Sequence, residues 1–154
     1  MALTVLFQSA PVFLPGIGLA LSPLSTLPVA IAAASDILLG VAVFFSSAVL
    51  LAVVSTQESI ILLLTTGLLG IVTGTLLYRK GIVISILFSS IALFPGIVVL
   101  TYITGISEFT LIKDPLATLL SLIIILIFST VYASVWNIIL NKFIKHLSKI
   151  KLRL

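Results

Sequence analysis

Side chains that can do acid–base, nucleophilic or metal chemistry are scarce in this sequence, which has four acidic residues, one histidine and no cysteine among 154 residues. Asp36 is the acid with long apolar sequence on both sides. A carboxylate inside a membrane often carries protons or binds cations, and Asn137, in a later apolar stretch, would line the same path. At a membrane surface, Asp36 would instead cap the helix that follows it. We favour the cap, because a charge at an interface costs far less than one at mid-bilayer.

Enzymatic and cofactor chemistry has few residues to use. A chain without cysteine cannot form disulfides, thiolate metal sites, iron–sulfur clusters or cysteine nucleophiles. The one histidine, His146, lies among lysines, which excludes a multi-histidine metal centre or a bis-histidine haem within one subunit. The sequence also has no glycine-rich phosphate loop, HExxH pattern or Ser–Lys arrangement. We therefore expect a protein that is not an enzyme, with no catalytic residue, cofactor or metal ligand.

The composition indicates which elements must position these side chains. Hydrophobic residues make up 61% of the chain and charged residues 8%. A soluble domain of this size could not cover its core with so few charged side chains. The sequence therefore predicts an all-α polytopic membrane bundle, with residues 1–154 forming a single transmembrane domain.

Five apolar stretches are long enough to cross a bilayer, which takes about 20 residues. The predicted spans lie near 10–34, 37–54, 59–78, 81–105 and 115–140. An alternative has four spans: one long span covers 27–54 with Asp36 inside the membrane, and residues 1–24 are re-entrant or interfacial. The capping interpretation of Asp36 favours five spans.

The C-terminal segment 141–154 predicts a basic amphipathic helix at the membrane surface. Its basic stripe, which would bind anionic lipid headgroups, is formed by Lys142, Lys145, Lys149 and Arg153. Two predicted spans separate this stripe from Arg79 and Lys80, so both basic clusters lie on one side. The positive-inside rule makes that side cytoplasmic. We expect a multi-pass protein of the cell membrane with its N-terminus outside and its C-terminus in the cytoplasm.

Small residues at helical spacing predict where helices approach closely. The third predicted span has one such face and the fourth has another; the residues are Gly67, Gly70, Gly74, Ser85, Ser89 and Gly96. Small side chains let two backbones come close in lipid. Because only a tight turn at Arg79 and Lys80 separates the two spans, we expect these faces to pack against each other.

The sequence leaves several functions open. The first is a non-catalytic structural or accessory subunit of a larger energy-transducing or transport complex, because such apolar helices need lipid or neighbouring helices on all sides. The second is a small oligomeric transporter or channel that uses Asp36, and the third is a lipid-embedded protein of a virus or a cell-surface assembly. The expected partners are membrane lipids and other membrane subunits or further copies of the chain, and not nucleic acid.

Overall fold

The computed structural model describes residues 1–103 and 115–151, and helices account for 95% of these residues. The α-helices are α1 (Ala2–Phe13), α2 (Ile17–Leu21), α3 (Thr26–Ser35), α4 (Ile37–Val54), α5 (Thr56–Ile61), α6 (Gly67–Lys80), α7 (Ile82–Ile103) and α8 (Pro115–Lys151). A 3₁₀ turn (Ser22–Ser25) joins α2 to α3, and a π-helical turn (Leu62–Thr66) joins α5 to α6. The prediction of an all-α bundle is confirmed.

Five helical segments of the described chain are long and apolar enough to cross a membrane. They are Ile17–Ser35, Ile37–Val54, Thr56–Leu77, Ile82–Thr101 and Leu116–Phe143, called spans 1 to 5 below. The protein is therefore a multi-pass helical membrane protein. In lipid, a helix satisfies all its backbone hydrogen bonds within one segment, which is why such apolar stretches fold this way.

Short breaks separate spans 1 to 4. Asp36 is extended (φ −151°, ψ 135°), and its Oδ1 accepts a hydrogen bond of 3.1 Å from the N–H of Leu38, as an N-cap does. The capping interpretation of Asp36 is thus confirmed. Ser55 caps α5 in the same way, and Gly81 makes the turn into α7 with φ +90°. Because the spans alternate in direction, Asp36 and Gly81 lie at one end of the bundle and Ser55 lies at the other.

The N-terminal region differs from the prediction of a first span near 10–34. The helix breaks at Pro15 and Gly16, where Gly16 has φ +91°, and span 1 starts at Ile17. Helix α1 is 12 residues long, or about 18 Å, which is too short to cross about 30 Å of hydrocarbon. It folds back along α2 and the 3₁₀ turn instead. Gly18 permits this contact, because a Cβ there would overlap the Ala10 carbonyl.

The face of α6 that carries its glycines packs against different helices from the one expected. A Cβ at Gly70 would lie 2.9 Å from that of Val29, and one at Gly74 would overlap the Ala30 carbonyl, so both glycines face α3. Gly67 faces the ring of Phe44 on α4. These three glycines therefore do not pair with α7, because span 1 and α4 lie against them. Gly96 of α7 does lie against span 3, at the Leu64 carbonyl.

Helix α8 has 37 residues and runs about 55 Å without a break near residue 140. The predicted tail therefore continues the fifth span as one helix as far as Lys151. Lys149 lies on this helix, whereas Arg153 lies outside the described residues. Lys142 and Lys145 are exposed. Their binding to lipid headgroups stays a prediction.

Candidate functional site around Glu58

Glu58 is held at the start of span 3 by the cap of α5. The Ser55 Oγ accepts a hydrogen bond of 3.4 Å from the Glu58 N–H, which places the glutamate at the third position of the helix. In a capping box, a glutamate at this position would turn back to the backbone N–H of the capping residue. Here the Ser55 N–H donates to the Leu51 carbonyl, and the Glu58 side chain turns into the bundle. It is 8% exposed.

A buried glutamine binds the Glu58 carboxylate. The Gln8 Nε2 donates a hydrogen bond of 2.8 Å to Glu58 Oε2, and the Gln8 Oε1 accepts hydrogen bonds from two hydroxyls. These come from Ser25 Oγ at 2.7 Å and from Thr66 Oγ1 at 3.0 Å. Gln8 and Ser25 are fully buried and Thr66 is 5% exposed. One amide thus links α1, the 3₁₀ turn, α5 and the π-helical turn.

The direction of these hydrogen bonds matches an ionised carboxylate. Both hydroxyls donate to the Gln8 oxygen, which leaves the amide N–H₂ facing Glu58 as a donor. A protonated Glu58 would instead donate, and the flipped amide would receive that bond while its N–H₂ donated to the hydroxyl oxygens. In that arrangement the Ser25 and Thr66 hydroxyls would lose the acceptor that Gln8 Oε1 provides, so the observed bonds suit the carboxylate form.

The π-helical turn lies directly beside this cluster. The Gly67 N–H donates to the Leu62 carbonyl five residues back, which defines the wider turn. π-helical turns are rare in proteins, and those that do occur are often found at functional sites. Gly96 of α7 lies against the turn, because a Cβ there would overlap the Leu64 carbonyl. Thr66 reaches Gln8 from this turn, and the neighbouring Thr65 lines a cavity.

The cavity has a volume of about 240 Å³ and is partly open. Glu58 is the only ionisable carboxylate among the residues lining it, and most of the others are apolar. The lining residues come from α1 and from spans 1, 3, 4 and 5 with their adjoining turns, and are Pro11, Leu19, Ser22, Pro23, Glu58, Ile61, Thr65, Thr66, Leu93, Ile97, Phe128 and Tyr132. The Phe128 and Tyr132 rings stack at 6.0 Å with an angle of 26°. The arrangement can hold a small molecule against a carboxylate.

No basic side chain that the structure describes forms an ion pair with Glu58. Arg79 and Lys80 end α6 at the opposite end of the bundle, and Lys142 and Lys145 lie at the C-terminal end of span 5. The carboxylate is therefore buried with a neutral hydrogen-bond donor and without a described counter-charge.

Asp36 and Asn137, the residues of the predicted ion path, lie in different settings, and the path itself stays a prediction. Asp36 is exposed at the junction of α3 and α4. Asn137 is fully buried on α8, where its Nδ2 donates 2.8 Å to the carbonyl of Ala133 one turn earlier. Its Oδ1 has no hydrogen-bond partner among the described residues. The buried hydroxyls of Ser85 and Ser89 likewise lack one.

Sequence reasoning missed Gln8 and placed Glu58 in a loop. A signal for Glu58 was present, because serine at 55 and glutamate at 58 before an apolar stretch form the pattern of a helix start. That pattern moves the start of span 3 from residue 59 to 56, which puts Glu58 inside the helix. Gln8 gives no such signal, since its partners are 17, 50 and 58 residues away.

Comparison of the chain with protein-family models, with curated proteins and with solved structures finds no match.

Proposed function

We propose that this protein is a non-catalytic integral membrane subunit of a larger energy-transducing or transport assembly. The observation that carries the proposal is the unequal burial of the spans: in an 18-residue apolar stretch of span 5, 11% of the residues are buried within the chain, against 44% in the corresponding stretch of span 3. In the second half of span 5, Ala133 and Trp136 pack against the rest of the bundle. In the first half, none of residues 116–128 is buried. This half-helix offers a face for another membrane helix, since helices associate in lipid through van der Waals packing.

Photo-crosslinking from the exposed face of α8 tests the proposal. A photoreactive amino acid replaces Ile124, which is 63% exposed, and a matched control replaces Val53 on α4, which is 85% exposed. We expect Ile124 to crosslink in native membranes to one protein that also co-purifies with the chain in a fixed ratio, and Val53 to crosslink mainly to lipid. Equal crosslinking patterns from the two positions, with no protein co-purifying, would overturn the proposal.

A small oligomeric transporter is the second candidate, and the cavity beside Glu58 favours it. An ionisable residue buried at membrane depth is a functional-site hypothesis in its own right. The acid that this candidate would use is Glu58 and not Asp36, because Asp36 is occupied as a helix cap. Recovery of the chain from native membranes as a defined oligomer without other proteins would favour this candidate over the first.

We further propose that the protein resides in the cell membrane with its Ser55 end outside. Arg79 and Lys80 lie at the Gly81 end, and Lys142 and Lys145 follow Leu140, which packs there with Leu77 and Ile82. An excess of basic residues favours the cytoplasmic side. In this orientation Lys142, Lys145 and the rest of the basic stripe meet the anionic lipids of the inner leaflet, each contributing about 1 kcal/mol. The cavity beside Glu58 then belongs to the outer half of the membrane.

A further inference from the structure

We propose that the cavity beside Glu58 binds a small organic ammonium ion, whose charge pairs with the carboxylate and whose apolar part fills the rest of the space. This inference adds a ligand to the proposed function. The lining residues of this chain alone supply the carboxylate and the apolar wall that the ligand needs.

The charge of the ligand follows from the surroundings of Glu58. Burying an ionised carboxylate is costly unless the charge is paired and hydrogen-bonded. Gln8 supplies one hydrogen bond, through its Nε2 to Oε2, and the amide carries no charge. No described side chain supplies the positive charge, although the carboxylate lines a cavity large enough to admit one. A cationic ligand completes the pair.

The lining favours an organic cation over a metal ion. Mg²⁺ and Ca²⁺ take about six to eight oxygen ligands, usually including more than one carboxylate or several waters. Among the described residues no three acidic or histidine side chains come together, and apolar groups make up most of the cavity wall. The rings of Phe128 and Tyr132 form part of that wall. Aromatic rings attract ammonium groups through their π-electrons and also pack well against hydrocarbon.

The size of the cavity limits the ligand to a small molecule. Its volume of about 240 Å³ falls below the about 300–1,000 Å³ that is typical of pockets for drug-sized ligands. An ammonium group on a single ring or a short alkyl chain suits this space. Benzylammonium is therefore the probe of choice, and benzyl alcohol, which has nearly the same shape without the charge, is its control.

Tryptophan fluorescence of the full-length chain in lipid nanodiscs measures binding. Trp136 is the only tryptophan in the sequence, and its ring lies 6.4 Å from that of Tyr132 in the cavity wall. We expect a saturable fluorescence change with benzylammonium and at least tenfold weaker binding of benzyl alcohol. Glu58→Gln should weaken benzylammonium binding at least tenfold. Asp36→Asn, which removes one carboxylate charge at the other end of the bundle, should leave it unchanged.

A second measurement uses the unaltered protein, in case Glu58→Gln does not fold. An apolar carbodiimide modifies carboxyl groups in membrane proteins, and mass spectrometry follows the extent of modification at Glu58. We expect benzylammonium to slow this modification and benzyl alcohol to leave it unchanged. Unprotected Glu58, or equal binding of the charged and uncharged probes, would overturn the inference. So would unaltered binding of benzylammonium by a folded Glu58→Gln variant.

Discussion

At the residue scale, Gln8 joins parts of the chain that are far apart in sequence. Its amide bonds Glu58, Ser25 and Thr66, and all four side chains are at most 8% exposed. Nearby on α1, the hydroxyl of Thr4 is fully buried and has no partner among the described residues. Gln8 and Thr4 therefore provide a matched comparison. The Gln8 side chain forms hydrogen bonds with several buried groups, whereas the Thr4 hydroxyl forms none with a described residue.

Replacing Gln8 should therefore destabilise the bundle more than replacing Thr4. Gln8→Leu leaves the Glu58 carboxylate and two hydroxyls without their partner, and we expect a loss of about 1–3 kcal/mol. Thr4→Val replaces an unsatisfied hydroxyl by a methyl group of similar size and should be neutral or slightly stabilising. Unfolding in mixed detergent micelles, followed by circular dichroism, measures both. Equal losses for the two variants would contradict the role given to Gln8.

The cap at Asp36 gives a second prediction at this scale. Asp36→Ala removes the acceptor for the Leu38 N–H and should cost roughly 0.5–2 kcal/mol of stability. Asp36→Asn keeps an oxygen at the same position and should cost only a few tenths. Both variants remove the charge, so the same unfolding assay separates capping from electrostatics. If the asparagine variant lost as much stability as the alanine variant, the charge and not the cap would be the important property.

At the scale of elements, the close contact between α3 and α6 depends on glycines, which have no side chain. Gly70 and Gly74 lie one turn apart on α6, and both face α3. At Gly74 the obstacle to a Cβ is the backbone carbonyl of Ala30, which cannot move without its helix. At Gly70 the nearest atoms are the Val29 Cβ at 2.9 Å and the Thr26 carbonyl at 3.0 Å, so a Cβ there is also crowded but overlaps α3 less than one at Gly74.

Alanine substitutions at these two glycines should consequently differ. Alanine gains about 0.5–1 kcal/mol over glycine in a helix, and overpacking a tight contact costs about 1–3 kcal/mol. We expect Gly74→Ala to destabilise the protein by about 1–2 kcal/mol, because the clash with α3 outweighs the gain in helix propensity. We expect Gly70→Ala to destabilise the protein less than Gly74→Ala, because the overlap with α3 is smaller there. A Gly70→Ala variant that lost more stability than Gly74→Ala in the same unfolding assay would refute this account.

At the scale of the whole molecule, the order of the spans places each helix junction at one of two membrane surfaces. The junctions at Asp36 and Gly81 share one surface, and Ser55 lies at the other. The natural chain contains no cysteine, so a single introduced cysteine reports on its own position without background. Gln57 and Ser35 are exposed residues next to Ser55 and Asp36.

Labelling of these two positions tests the proposed orientation. A membrane-impermeant maleimide should modify Gln57→Cys in intact cells and Ser35→Cys only after the membrane is permeabilised. Neither substitution alters the basic residues that determine orientation under the positive-inside rule. The opposite pattern would place the Ser55 end in the cytoplasm. Labelling of both cysteines in intact cells would contradict the alternation of the spans.

The sequence by itself determined the helical membrane fold and the presence of five spans. Hydropathy summed over about 20 residues is a local property, and lipid leaves the backbone few ways to satisfy its hydrogen bonds other than a helix. The cap at Asp36 was predictable for the same reason, since its acceptor and donor lie two residues apart. Prolines lie near Gly16, so the sequence permitted more than one division of the N-terminal region into spans. The helix break at Gly16 moved the start of span 1 from its predicted position.

Only the tertiary structure decided which helix faces meet. The third span contacts the first through its glycines, although the fourth span follows it directly along the chain. Gln8 meets Glu58 across 50 residues because α1 folds back on span 1. In so uniformly apolar a chain, every helix has several faces that suit lipid or another helix equally well. The choice among them depends on the fit of whole helices, and that fit created the buried site around Glu58.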